Sequence, residues 1–142
     1  MNLQTTVFFE NDGINTIALG KSGSGETLTI DRANGIGMSA GELLLMSLAY
    51  CTLGTVREYL THKYIKKLPL RVEADCTFDD KEQKYVNISL LLRCPPNTSE
   101  RLKTAMLNAA KTCRIHKTLH GGPSITVALV ADLGQATHIS LS

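Results

Sequence analysis

The stretch between Ser39 and Lys63 places apolar residues on more than one side of a helix, and it constrains the fold more than any other part of the chain. Ser39 and Glu42 form a capping box, in which the hydroxyl accepts from the Glu42 amide and the carboxylate reaches back to the Ser39 amide. The helix they open is predicted to run to about Lys63. An amphipathic surface helix lines its apolar residues up in one stripe. Here Leu43, Leu44, Leu45, Met46, Leu48, Ala49, Leu53, Val56, Tyr59 and Leu60 spread around the helix. Such a helix has to be covered from several sides. One antiparallel sheet covers only one of them, so a second helix or subunit is needed and a dimer is expected.

The flanking segments read as strands between turns. Thr5 to Phe9 is β-branched or aromatic throughout, and Asn11-Asp12-Gly13 is a turn signal. Asn15 to Leu19 reads as a second strand, Gly20 to Gly25 as a hairpin loop and Thr27 to Ile30 as a third strand. The glycine loop resembles a phosphate loop only superficially, because Asn15 stands where its first glycine is required and no helix follows Lys21. Beyond the long helix, Leu70 to Phe78 and Tyr85 to Arg93 form a hairpin around a charged turn, with Leu70, Val72, Ala74 and Cys76 on one face. Asn97 and Glu100 are expected to cap a second helix whose buried stripe is Leu102, Met106, Ala109, Ala110 and Cys113. A short third helix follows, stopped by Gly121-Gly122-Pro123. Ser124 to Val130 reads as a final strand, and the tail beyond Gly134 has no readable pattern. The order of elements gives an α+β fold with antiparallel sheet, as one domain over residues 1–142.

Composition excludes several classes of function. The 142 residues are 43% hydrophobic and 20% charged, with a net charge of +2, no Trp and scattered basic residues. Neither a cationic nucleic-acid face nor a base-stacking platform is present, and Lys63, Lys66 and Lys67 form a small solvated cluster. The apolar run around Leu43 to Leu53 is interrupted by Ser47 and Thr52 and is too short for a bilayer. The first residues lack the pattern of a secretory signal, so four cysteines imply cytoplasmic thiols rather than a disulfide scaffold.

Two of those cysteines carry chemistry. Cys51 lies in the middle of the apolar helix, where burial alone would raise its pKa and leave it inert. If the helix breaks at Lys111-Thr112 and a short helix starts after Cys113, the Cys113 sulfur faces unpaired backbone N–H groups. Each lies on the core face of its own helix, so contact is possible, although periodicity does not establish it. Cys76 and Cys94 sit on or beside strands and read as structural. Cys113, His116 and His120 share one helical face, but no second pair of ligands completes a metal site and none is predicted. For Arg57 and Tyr59 a helix-end ion pair and a core ring are an explanation as good as a functional one.

The segment Gly41-Glu-Leu-Leu-Leu-Met-Ser-Leu-Ala-Tyr-Cys51-Thr-Leu-Gly-Thr-Val-Arg57-Glu-Tyr59 resembles the first-cysteine helix of the OsmC/Ohr family, the osmotically inducible and organic hydroperoxide resistance proteins. Cys113-Arg-Ile-His-Lys-Thr-Leu119 resembles that family's second-cysteine motif, and the approach Leu28-Thr-Ile-Asp31-Arg32 agrees with it as well. The resemblance implies an intertwined homodimer in which antiparallel sheets wrap two long central helices. It also implies a thiol peroxidase that reduces organic hydroperoxides. Cys51 would become a sulfenic acid, and Cys113 would close a disulfide with it, which protects the sulfur from further oxidation. No bound cofactor is implied, and an external dithiol is the expected reductant.

This chain departs from the family pattern at three places. The family's Pro-Glu pair ahead of the first cysteine stands here as Ala40-Gly41. Glu42 is nine residues before Cys51, on the opposite side of a regular helix and about 13 Å away along its axis. No Arg precedes Arg32, whereas the family draws an arginine from its N-terminal strands. The proline after the second cysteine is replaced by Arg114, itself able to stabilise a thiolate. Glu42, Arg32 and Arg114 are therefore the supporting residues to examine. The alternative function is a non-enzymatic dimer that binds an apolar small molecule or senses oxidation.

Overall fold

The computed structural model describes residues 2–132. They form two compact units, one made of the described residues up to Leu43 and from Ile125 onward, the other of Leu44–Ser124. In the first unit, β1 (Thr5–Phe9), β2 (Ala18–Ser22) and β3 (Thr27–Ile30) make an antiparallel sheet in that order, with Val7 opposite Gly20 and Gly20 opposite Leu28. β1 and β3 lie where the sequence puts them. β2 starts three residues later than the expected Asn15–Leu19. A 3-10 turn at Glu10–Gly13 uses up the preceding chain, and the Asn15 side chain then accepts the Ile17 N–H at 2.9 Å. That local turn outcompetes the ladder, so the strand takes Gly20 to Ser22 from the expected loop.

After β3, the buried Asp31 organises the connection to the long helix. Its carboxylate accepts from the N–H groups of Ala33, Asn34 and Ile36 and from the Asn34 amide side chain, at 2.8–3.0 Å. Burial would raise this carboxyl, but those donors outweigh it and hold it below the usual carboxylate range. The chain is thereby delivered to α1 (Ala40–His62). The capping box forms as expected: Glu42 N–H donates to Ser39 Oγ at 3.2 Å and Ser39 N–H to Glu42 Oε1 at 3.0 Å.

The second unit holds most of α1, the hairpin of β4 (Arg71–Asp79) and β5 (Lys84–Arg93), α2 (Glu100–Ala110) and α3 (Arg114–Leu119). Val56 and Leu60 of α1 and Met106 of α2 are fully buried, and Tyr59, Leu68, Leu70, Leu92 and Leu102 pack around them. Val72, Ala74 and Cys76 alternate inward along β4 as the sequence indicates. Arg57 makes no ion pair among the described residues; its guanidinium donates to the carbonyls of Leu68 at 2.9 Å and Lys66 at 3.4 Å and so pins the chain that follows α1. The cap of α2 is Ser99 rather than Asn97, its hydroxyl accepting from Leu102 N–H at 3.2 Å. Asn97 is occupied inside a tight turn closed by Thr98 N–H on the Pro95 carbonyl at 3.1 Å.

The expected strand over 124–130 is absent. Neither sheet takes these residues as a strand, and Ile125, Val127 and Leu129 are 84%, 93% and 96% exposed. Alternation shows that a segment is suited to pairing, but the bonds need an open edge beside it. The segment beyond Gly134 lies outside the described residues. No helix among the described residues is long and apolar enough to cross a membrane.

Candidate thiol site

The helix break expected at Lys111-Thr112 is present and builds the site. α2 ends at Ala110, Lys111 is its C-cap, and Cys113 is the N-cap of α3. The first N–H groups of α3 therefore have no partner within the helix. Cys51, half-buried on α1, lies next to them: the Cys113 thiol, the amides of Ile115 and Arg114, and the Thr55 hydroxyl are the groups that act on its sulfur. Burial on its own would raise the Cys51 thiol. The Cys113 thiol, the two amides and the hydroxyl together outweigh it and hold Cys51 below the ordinary thiol value. Cys113 is completely buried, and both thiols are free.

Of the residues singled out in the sequence, the structure brings Cys51 and Cys113 together. Arg114 joins them through its backbone N–H; its guanidinium is exposed and has no hydrogen-bond partner among the described residues. Glu42 is engaged in the capping box, where the Ser39 amide and hydroxyl hold its carboxyl below the usual range. Arg32 is exposed in the connection organised by Asp31, and its side chain has no partner among the described residues. Sequence reasoning missed Thr55 and the Ile115 amide. Thr55 was within reach of a spacing argument, because a residue four positions along a helix lies over the same face as Cys51. Its hydroxyl also lies 2.8 Å from the Cys51 carbonyl oxygen, to which it donates. A backbone amide has no sequence signature of its own.

This arrangement can ionise one sulfur and hold a second beside it. The site carries amide donors without a carboxylate–guanidinium pair among the groups that contact Cys51. Among the described residues no group of three or more His, Cys, Asp or Glu side chains could hold a metal ion.

Comparison with known proteins places these features in a wider set. The family model for OsmC-like protein matches residues 33–128. No curated protein sequence gives a significant match. Among solved structures, a putative osmotic stress induced and detoxification response protein from Psychrobacter arcticus superposes with a TM-score of 0.72 at 17% identity, covering 84% of this chain and 89% of that one. An OsmC like protein from Mycoplasma pneumoniae gives 0.68 at 22% identity, over 85% and 89% of the two chains. The organic hydroperoxide resistance protein OhrB of Bacillus subtilis gives 0.62 at 15% identity, over 85% and 92%. These likenesses establish a shared α+β fold, and the family match covers both cysteine motifs. The chain belongs to the OsmC-like protein family.

Proposed function

We propose that this protein is a cytoplasmic thiol peroxidase that reduces organic hydroperoxides, with Cys51 as the attacking sulfur and Cys113 as the resolving one. The observation that carries this reading is the placement of Cys51 beside a second thiol and two amides at the start of α3, which hold its thiol below the ordinary value. The Cys51 thiolate attacks the terminal peroxide oxygen and donates two electrons as the O–O bond breaks. The alkoxide takes up a proton and leaves as an alcohol, and Cys51 becomes a sulfenic acid. The Cys113 thiol then displaces hydroxide from that sulfur, so that an S–S bond forms and water is released. An external dithiol reduces the disulfide by exchange, is itself oxidised to a disulfide, and restores both thiols. No bound cofactor enters the cycle. The hydroperoxide resistance protein among the structural neighbours supports this choice of substrate class.

The working form in this proposal is a homodimer. Met46 and Tyr50 leave an apolar side of α1 exposed, with Tyr50 at 80%, and the alternating 125–130 segment is exposed and belongs to neither sheet. Both are surfaces that a second copy would cover. Sedimentation at micromolar concentration is expected to give a dimer, and a stable monomer would contradict this part of the reading. The catalytic part is tested by stopped-flow reduction of an alkyl hydroperoxide with dihydrolipoamide as the dithiol. Wild type is expected to turn over and Cys51→Ser to be inactive; equal rates would remove the proposal.

A further inference from the structure

A second feature of the Leu44–Ser124 unit is a cavity of about 390 Å³ that neither cysteine lines. Val72, Ile88, Leu90 and Leu92 of the hairpin form one wall, and Leu48 and Thr52 of α1 another. The Thr52 hydroxyl is engaged by the Leu48 carbonyl at 2.8 Å and offers the cavity no free donor. Leu107 and Leu119 continue the apolar lining toward the helix ends, where the remaining polar side chains gather: Lys111 at the end of α2, and His116 and His120 on and after α3. The two imidazoles stand edge to face with centroids 6.4 Å apart. Neither they nor the Lys111 ammonium has a hydrogen-bond or ion-pair partner among the described residues. No Asp or Glu lines the cavity.

We infer that this cavity binds a straight-chain carboxylate, its tail against the hairpin and α1 and its head at Lys111, His116 and His120. Three nitrogen-bearing side chains and no carboxylate select an anion over a cation, and the long apolar wall excludes a fully polar anion such as phosphate. The volume lies at the small end for ligand sites. At about 30 Å³ per water-sized group it holds roughly a dozen non-hydrogen atoms, which matches a chain of about eight to ten carbons with its carboxylate. A saturated carboxylate has no O–O bond, so this site stands apart from the peroxide chemistry proposed for Cys51.

The test is calorimetric titration of the full chain with hexanoate, octanoate and decanoate, with 1-octanol and octylamine as uncharged and cationic controls. Affinity is expected to rise about fourfold per methylene through the series. Octanoate is expected to bind at least about threefold more tightly than 1-octanol, and octylamine more weakly than either. Lys111→Gln is expected to remove the preference for octanoate while leaving 1-octanol binding unchanged, which also shows that the variant is folded. The imidazole NMR signals of His116 and His120 are expected to shift with octanoate. Cys51→Ser is expected to bind octanoate like wild type, so loss of peroxidase activity and loss of this site are separable. Equal affinity for octanoate and 1-octanol would overturn the inference. So would the absence of binding by every probe, including the case in which a second copy covers the cavity.

Discussion

Replacing Thr55 by valine removes one oxygen from the Cys51 environment and little else. Valine has nearly the same shape as threonine and a similar helix propensity, and the Thr55 hydroxyl donates to the Cys51 carbonyl oxygen and helps to lower the Cys51 thiol. The hydroxyl has a single proton. In the neutral thiol state it donates to the carbonyl at 2.8 Å, and on ionisation of the sulfur it can turn to the thiolate. A hydrogen bond to a charged group contributes about 1.5–3 kcal/mol when well shielded. Because Cys51 is only half-buried, a value of about 1 kcal/mol is appropriate. That corresponds to about a fivefold smaller thiolate population at any pH below the thiol's titration. Iodoacetamide labelling, quantified on the Cys51 peptide by mass spectrometry, is expected to slow by about that factor. Thr61→Val is the control, since Thr61 makes the same helical bond to the Arg57 carbonyl at 2.9 Å and is not among the groups that act on Cys51. The lowered Cys51 value also stabilises the fold at alkaline pH. That stabilisation is complete above the ordinary thiol value, is lost as pH falls through the folded value, and shrinks in Thr55→Val. An unchanged labelling rate, or an equal slowing in the Thr61 control, would refute the reasoning.

Other sites give independent checks. Leu60→Ala empties the centre of the Val56–Leu60–Met106 cluster and is expected to cost about 2–5 kcal/mol in denaturant unfolding; a loss below about 1 kcal/mol would mean that the core lies elsewhere. The exposed Glu26 is held at about 2 by hydrogen bonds from Ser22 and Ser24 at the β2–β3 turn, with its own amide adding to them. Its contribution is present above the ordinary carboxyl value and is lost as pH falls toward about 2, so Glu26→Gln is expected to flatten the acid side of the stability profile. An acid unfolding profile that is identical in both proteins would count against it. Gly37→Ala places a Cβ 2.7 Å from the Thr29 carbonyl oxygen. It is expected to lower the melting temperature, with no change indicating that the β3 connection can shift.

What the sequence made legible is what depends on neighbouring residues. The capping box, the length of α1, the hairpin and the break before Cys113 all follow from local patterns, and each forms. β2 and the cap of α2 are displaced by two or three residues because the Asn15 side chain closes a local turn and Asn97 lies inside a backbone turn between Pro95 and Thr98. The 124–130 segment alternates as a strand does, but neither sheet takes it up, because alternation alone does not supply a pairing partner. At the thiol site the two cysteines stand out through their motifs. The groups that tune Cys51 do not, because two of them are main-chain amides and the third is one of many threonines at helical spacing. Arg114, chosen for its charge, contributes its N–H instead.

The most direct measurement is the product formed when the reduced protein meets one equivalent of an alkyl hydroperoxide in the absence of any added thiol. Peptide mapping is expected to find Cys51 joined to Cys113, with Cys76 and Cys94 still free. Accumulation of sulfinic acid at Cys51 with Cys113 unmodified, or recovery of all four thiols, would contradict the account.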